Sequence, residues 1–199
     1  MSQHGGCHSC TSDDGHVCQS HATNPSVHQT LDELDFDRGI WSSALAGDND
    51  EVKRKLIHSN GADVNKVDKS GYTALHYACR NGHLQTCKIL LDYQADVNAT
   101  TQSSKATPLH RASYMGHDEI VSLLLGHNAD PGATDCDGMT PLHKAAENDH
   151  AKTVAILMKA NPDAANVEDN RVRKPVDLAK SDLVRTILSS VVQTFDGSC

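Results

Sequence analysis

The sequence is poor in large aromatic side chains, in long apolar runs and in positive charge. Two Phe and one Trp among 199 residues leave the core to Leu, Ile, Val and Ala, which suits tightly stacked helices. No apolar run approaches the roughly 18 residues that a membrane-spanning helix needs. A net charge of −8 disfavours nucleic acids and anionic membranes as partners. We therefore expect one helical domain with a tail, and no contact with nucleic acid or membrane.

The N-terminal residues lack the apolar stretch of a secretory signal, and Ser2 stands where myristoylation requires Gly. The last residues, DGSC, do not form a prenylation box. Without a signal for secretion, the seven cysteines are expected to be reduced thiols rather than disulfides. The prediction is a protein of the cytoplasm, the nucleus or both.

Signature motifs of common enzyme classes are also missing. The chain contains no G-x-S-x-G, no phosphate-binding P-loop and no H-E-x-x-H zinc motif. Histidine and aspartate are abundant, but most of them recur at fixed intervals, which favours a structural role. We expect a non-catalytic protein without a resident cofactor.

The sequence does contain three copies of one segment. Residues 73–76 read TALH, and both 107–110 and 140–143 read TPLH, so the histidines are 34 and then 33 residues apart. The agreement extends far beyond this motif, and repetition at so many offsets indicates a repeat protein. The further matching sets are Ala78, Ala112 and Ala145; His83, His117 and His150; and Leu90, Leu124 and Leu157.

Each copy predicts a turn, a helix, a second turn and a second helix. A turn sequence such as DKSG (68–71) comes first, and its Gly can adopt positive φ. Thr then caps a short helix, with Pro108 in the first turn of one copy, where no backbone N–H is needed. Gly82 is suited to end that helix. The second helix carries apolar residues, Leu124 among them, at the spacing of one buried face.

This unit of about 33 residues with T-P-L-H-x-A resembles the ankyrin repeat. The resemblance covers residues 68–167 and implies an all-α solenoid of stacked helix-turn-helix units, connected by fingers that are β-hairpins or turns. It also implies that the repeated histidines bond within and between units instead of binding metal or catalysing a reaction. These histidines are His76, His110 and His143 of the motif and His83, His117 and His150 beside the helix-ending position. Cys79 and Cys87 occupy slots for small buried residues.

Less regular copies flank the three full repeats. In the variant first repeat Trp41 replaces the motif histidine and is expected to plug the end of the core. Thr30 and Glu33 fit a capping box that would start a short helix. The predicted organisation is a disordered Cys/His-rich tail (1–29), an ankyrin-repeat domain (30–190) and a frayed C-terminus (191–199). Within the domain lie a variant repeat (39–67), full repeats (68–100, 101–134 and 135–167) and a C-terminal cap (168–190) with a helix from about Ser181.

Four positions depart from the repeat. Lys105 stands where a turn glycine would be, in a finger with one extra residue. Gln94, Asn128 and Asn161 replace the glycine that precedes A-D in the family. Asn tolerates the left-handed conformation better than Gln does, so slight strain is expected at Gln94.

Stacked repeats curve, and the fingers and first helices form the concave surface. Positions there that packing does not constrain are free for recognition, and Tyr and Arg are enriched among interface hot spots. We predict a monomer that binds an acidic or mixed-polarity segment of a protein partner on this surface. The predicted contact residues are Tyr72, Tyr77, Arg80, Arg111, Tyr114, Met115, Met139 and Lys144. The alternative is an ordinary solvated helix face.

The tail offers a second hypothesis. Cys7, Cys10, Cys18 and His21 have a spacing that would supply four ligands to a tetrahedral zinc ion. Few apolar residues stand nearby to enclose the metal, so a flexible tail without metal is the alternative. If zinc binds, metal binding and folding of the tail are one event.

The resemblance also implies a modification. Ankyrin repeats with L-x7-N ending in D-V-N are a known substrate pattern for an asparaginyl hydroxylase. Asn98, with Leu90 and the preceding Asp-Val, matches this pattern, and Asn65 matches it more loosely. The chain would then be a substrate of that enzyme and not a catalyst.

Overall fold

The structure, a computed structural model, describes residues 36 and 38–192. Short helices follow one another in pairs, each pair joined to the next by a finger-like loop. The pairs correspond to the copies seen in the sequence. The helices are α1 (Ile40–Ala46), α2 (Asn49–His58), α3 (Ala74–Asn81), α4 (Leu84–Asp92), α5 (Pro108–Met115), α6 (Asp118–Gly126), α7 (Pro141–Glu147), α8 (Ala151–Ala160), α9 (Pro175–Leu178) and α10 (Asp182–Val192), with a 3₁₀ helix at Pro162–Asn166.

The helices form two layers around one core. The first helices of the pairs, α1, α3, α5, α7 and α9, pack side by side, and the second helices form a parallel row behind them. Fully buried leucines such as Leu75, Leu109, Leu124 and Leu157 fill the space between the layers. Each pair covers its apolar face with its neighbours, so the core runs through the stack.

Residues 36 and 38–192 contain no β-strand, and the fingers are turns. Neighbouring fingers are linked by backbone hydrogen bonds. The N–H of Gln102 donates to the Ser70 carbonyl at 3.2 Å, and that of Cys136 donates to the Ser104 carbonyl at 2.9 Å. The all-α solenoid is confirmed, and of the two expected finger types the turn is the one observed.

The motif histidines connect each unit to the next. In the first full repeat, the N–H and hydroxyl of Thr73 both donate to Nδ1 of His76, at 3.2 and 2.9 Å. Nδ1 is therefore unprotonated, and the protonated Nε2 donates to the Ala106 carbonyl at 3.0 Å. His110 reaches the Met139 carbonyl in the same way. The motif thus caps its own helix and holds the following finger.

The second set of histidines bonds in the opposite direction. Nε2 of His83 donates to the Leu45 carbonyl at 2.9 Å, at the end of the preceding first helix. That helix ends at Gly47, with φ of 74°, and a Cβ there would lie 2.6 Å from the imidazole of His83. His117 and His150 repeat this contact in the next two junctions. Glycine is thus required for its conformation and for the space its missing side chain leaves.

The two ends of the described stack use different contacts. Trp41 is buried in the first unit, where its indole N–H donates to the Lys66 carbonyl at 3.0 Å. At the other end, Asp149 stands where Gly82 and Gly116 end earlier helices. Its carboxylate accepts from the backbone N–H groups of Lys180 and Ser181, at 3.1 and 2.9 Å. These bonds attach α10 to the last full repeat.

The four residues that depart from the repeat do not all have the same backbone conformation. Gln94 and Asn128 adopt the left-handed conformation, with φ of 65° and 63°, and Lys105 in its longer finger has φ of 49°. Asn161 does not follow, since its φ is −146°. Its successor Pro162 disfavours helical conformations at the preceding residue and starts a 3₁₀ helix instead.

Several predictions concern residues outside 36 and 38–192. The disordered tail, the capping box of Thr30 and Glu33, and all but the first two residues of the predicted C-terminal fray (191–199) belong to this group. Residues 191 and 192 continue α10. Within the described part of the chain, no helix has the length and apolarity to cross a membrane.

Candidate functional site

Five of the eight predicted binding residues fall on two ladders of equivalent positions along the first helices. The first ladder, directly after the motif histidine, consists of Ser42, Tyr77, Arg111 and Lys144. The second ladder, three residues later, consists of Leu45, Arg80, Tyr114 and Glu147. Together with the fingers, these ladders form what we call the concave face. The two differ in how much of each side chain remains available to a partner.

Tyr77 on the first ladder is held by its own finger. Its hydroxyl donates to Oδ2 of Asp68 at 2.6 Å. Burial of the ring, followed by this hydrogen bond, raises the pKa of Tyr77 well above its usual value. Phe36 packs edge-on against the ring, with centroids 5.4 Å apart. Tyr77 therefore has a structural role besides any role in recognition.

Lys144 is paired in the same way. Its Nζ lies 2.8 Å from Oδ2 of Asp135, at the equivalent finger position. Burial alone would raise the pKa of Asp135, but hydrogen bonds from Lys144 and from backbone N–H groups outweigh it and leave that pKa lowered. The charge of Lys144 is thus largely neutralised within the protein, so it adds less to a basic patch than its sequence position suggests.

The structure corrects the prediction for Met139. This residue was expected at an accessible finger tip, but its side chain is only 4 % exposed. Its sulfur accepts a hydrogen bond from Nζ of Lys144 at 3.1 Å, and its carbonyl accepts the bond from His110. Met139 packs beneath the finger and does not offer a contact surface.

Arg111 and Tyr72 contact each other across neighbouring fingers. The guanidinium lies over the Tyr72 ring, 5.1 Å from its centroid, and donates to the Tyr72 hydroxyl. It also donates to the Ser104 hydroxyl at 3.2 Å. Both partners are uncharged, so Arg111 keeps its full positive charge. A variant that removes Tyr77 and Arg111 together would therefore disturb contacts within the protein.

The second ladder is the accessible one. Tyr114 and the adjacent Met115 are 47 % and 43 % exposed, and Leu45 is 37 % exposed. Arg80 lies between the positions of Leu45 and Tyr114 and is also exposed. Their carbonyl groups are occupied, since Leu45, Arg80 and Tyr114 accept the backward bonds from the second set of histidines. The backbone is thus fixed while the side chains face solvent.

Sequence reasoning missed the aromatic cluster beside the first ladder. Phe36 stacks on Trp41 at 6.3 Å between centroids and contacts Tyr77, which in turn lies 5.4 Å from Tyr72. It also missed the finger aspartates that bind the ladder. Their signal was available, because Asp68 and Asp135 each lie nine residues before Tyr77 and Lys144.

The two asparagines predicted as hydroxylation sites make equivalent hydrogen bonds in successive units. Asn65 accepts from the Asp96 N–H at 2.7 Å, and Asn98 accepts from the Asp130 N–H at 2.9 Å. Each amide also donates to a carbonyl of the neighbouring unit, at 3.3 Å. These side chains link successive loops, and their modification remains a prediction.

No cluster of three or more His, Cys, Asp or Glu side chains suited to a metal ion occurs within the described residues. The predicted zinc ligands Cys7, Cys10, Cys18 and His21 lie outside those residues. Cys79 and Cys87 form a buried pair with sulfur atoms 3.7 Å apart. Burial, followed by the hydrogen bond between the thiols, raises the pKa of Cys79 and disfavours its reactive thiolate.

Comparison with known proteins agrees with this architecture. A model of three ankyrin repeats matches residues 40–135, and a model of a single ankyrin repeat matches residues 137–167. Both models describe the same kind of repeat, and together they cover more than half of the 199 residues.

Curated proteins give the same result. The chain is 47 % identical to ankyrin repeat domain-containing protein 39 of Homo sapiens over 88 residues, which cover 44 % of this chain and 47 % of that protein. It is 53 % identical to the Bos taurus protein of that name over 70 residues, or 35 % and 37 % of the two chains. Palmitoyltransferase akr1 of Schizosaccharomyces pombe is 44 % identical over 69 residues, 35 % of this chain and 11 % of that protein.

The matched segments span less than half the length of each of these relatives. The chain belongs to the ankyrin-repeat family.

Proposed function

We propose that this protein is a non-catalytic interaction module that binds a segment of a partner protein on the concave face. The observation that carries the proposal is the exposure of Tyr114 on the second ladder and of the adjacent Met115, next to Arg80. Large apolar side chains at solvent-facing positions of a rigid helix row are suited to anchor a partner. The ankyrin-repeat family is generally a family of protein-interaction modules, which supports this reading.

The chemistry of the face favours a partner with acidic character. The whole chain carries a net charge of −8, yet the middle of the concave face presents Arg80 and Arg111. Locally positive charge on an acidic protein steers acidic segments of a partner towards that place. Lys144 contributes little here, because Asp135 neutralises it.

We infer a location in the cytoplasm or nucleus. A reducing compartment would keep Cys79 and Cys87 as free thiols, the form in which they fill the core. As the sequence predicts, we propose that the protein is a monomer and holds no cofactor.

The proposal is tested by replacing both exposed anchors. Affinity purification from cells with the full chain should recover a reproducible partner, and Tyr114→Ala/Met115→Ala should reduce its recovery at least about tenfold. The matched control is Ile57→Ala on α2, which removes a side chain that is 66 % exposed in the other helix layer. Recovery should be unchanged with this control. Equal recovery with the double variant and the wild type would contradict the concave-face proposal.

A further inference from the structure

The first residue of each finger is an aspartate in three fingers and a threonine in one. Asp68, Asp135 and Asp169 each use Oδ1 to accept two backbone N–H groups of their own finger, at 2.8–2.9 Å. Thr101 takes this place in the remaining finger and accepts from the Ala106 N–H at 3.1 Å through its hydroxyl. The finger turn is thus maintained by either residue.

The second carboxylate oxygen has another partner in the aspartate fingers. Oδ2 of Asp68 binds the Tyr77 hydroxyl at 2.6 Å, and Oδ2 of Asp135 binds Nζ of Lys144 at 2.8 Å. Oδ2 of Asp169 binds the guanidinium of Arg173 at 2.7 Å. Threonine has no second oxygen, so the equivalent position beside Arg111 lacks an anion.

Arg111 is therefore a half-buried cation without the carboxylate that Tyr77 and Lys144 receive at the same repeat position. Among the described residues, no carboxylate lies within 4 Å of its guanidinium, whose partners are the hydroxyls of Tyr72 and Ser104. Its Nε is buried and has no hydrogen-bond partner in this part of the chain. A buried donor without an acceptor is unfavourable.

The guanidinium lines a recess that opens on the concave face. The recess has a volume of about 270 Å³, and Tyr114 of the second ladder forms part of its wall together with Asp135, Asp137 and Lys144. Asp135 is paired with Lys144, and Asp68 on the other side is bonded to Tyr77. The nearby acidic groups are thus engaged elsewhere or, like Asp137, exposed to solvent.

We propose that this recess binds a carboxylate side chain, Asp or Glu, of the partner segment, with Arg111 as its charged hydrogen-bond donor; this rests on the proposed interaction function. The partner carboxylate takes the place that Oδ2 of Asp68 and Asp135 takes in the other fingers. A guanidinium binds carboxylates with paired hydrogen bonds, and Tyr114 supplies apolar contact beside it. A phosphate is disfavoured, because its second negative charge would face Asp135 and Asp137.

The test uses random twelve-residue peptides displayed on phage and selected against the full chain. Selected peptides should contain Asp or Glu at one constant position relative to their apolar residues. Replacement of that residue by Gln in a synthetic peptide should weaken binding at least about tenfold, as should Arg111→Gln in the protein. Replacement by phosphoserine should also weaken binding.

Thr101 offers a matched pair of variants. Thr101→Asp supplies the missing carboxylate within the chain, which should occupy Arg111 and weaken the selected peptide at least about tenfold. Thr101→Asn introduces a side chain with the shape of aspartate but without its charge. This variant should keep the peptide affinity within about twofold. Circular dichroism checks whether both variants fold. If Thr101→Asp does not fold, Arg111→Gln provides the same test.

The outcomes separate this inference from the proposed function. Peptides that depend on Tyr114 and Met115 but contain no constant acidic residue, or that are unaffected by Thr101→Asp and Arg111→Gln, would overturn the inference alone. Tighter binding of the phosphoserine peptide would overturn the choice of carboxylate. Failure to select any peptide, or peptides that ignore Tyr114→Ala/Met115→Ala, would overturn the concave-face proposal and the inference with it.

Discussion

At the scale of residues, the histidines of the repeat act in two opposite directions along the stack. His76 reaches forward to the next finger, whereas His83 of the same unit reaches back to the preceding first helix. The forward set must stay neutral, because Nδ1 accepts from the Thr cap and only Nε2 carries a proton. Burial is the main cause that lowers the pKa of His76, to about 4, and it lowers the pKa of His110 and His143 as well.

This arrangement predicts a loss of stability in mild acid. The unfolded chain binds a proton at position 76 near pH 6.5, whereas the folded chain does so only near pH 4, so protons favour unfolding between these values. The contribution is fully present above pH 6.5 and is lost as the pH falls towards 4. His76 alone should reduce the free energy of unfolding by about 2 kcal/mol between pH 7 and pH 5.

Urea unfolding at the two pH values measures this difference, and His76→Gln is the matched variant. Glutamine does not titrate, so the decrease between pH 7 and pH 5 should be smaller by about 2 kcal/mol, although the variant is less stable at pH 7. An identical decrease in variant and wild type would show that His76 does not carry the effect.

At the scale of elements, each second helix buries the side chains of one face only and exposes the others. Leu124 in α6 is fully buried, whereas Leu183 in α10 is 63 % exposed. The same chemical change at these positions therefore has different consequences. Leu124→Ala should lower the free energy of unfolding by about 2–5 kcal/mol, because it removes buried apolar surface and leaves a cavity.

Chemical denaturation checks the prediction, with Leu183→Ala as the control. The exposed leucine should change stability by no more than about 0.5 kcal/mol. A change of that size for Leu124→Ala would mean that α6 does not pack as described.

Most of these elements were predictable from the sequence, because their signals are local. Thr with Pro marks where α5 begins, and Gly116 marks where it ends. The extended backbone at Asn161 was also signalled locally, by Pro162, but the family pattern suggested a left-handed residue there. The contacts of Met139 and Arg111 were not predictable in this way, because they depend on how neighbouring fingers stack.

At the scale of the whole molecule, the described stack ends in a different junction from those inside it. Asp149 holds the start of α10 through the N–H groups of Lys180 and Ser181. The bond from the Ser181 N–H is the largest cause that lowers the pKa of the Asp149 carboxyl. The start of the last helix is thus held by one side chain, while Val184 and Leu188 bury the rest of that helix in the core.

We expect Asp149→Gly to loosen α10 without unfolding the interior repeats. Glycine keeps the left-handed backbone, for which φ is 58° at Asp149, and removes only the carboxylate. Hydrogen exchange followed by mass spectrometry should show faster exchange across Asp182–Val192 and unchanged exchange across Leu84–Asp92. Asp149→Asn, which keeps an acceptor, should be closer to wild type. Faster exchange throughout the chain would contradict a local attachment.

The junction at Asp149 also bears on where an additional repeat unit would fit into this array. Each interior boundary combines a glycine with an incoming imidazole, so an additional unit inserted there would find the same complementary surface on both sides. A unit appended after Asp149 would bring its imidazole against a carboxylate side chain instead of an empty space. Duplication of an interior unit would therefore preserve these contacts, whereas duplication across the junction at Asp149 would place an imidazole beside a carboxylate.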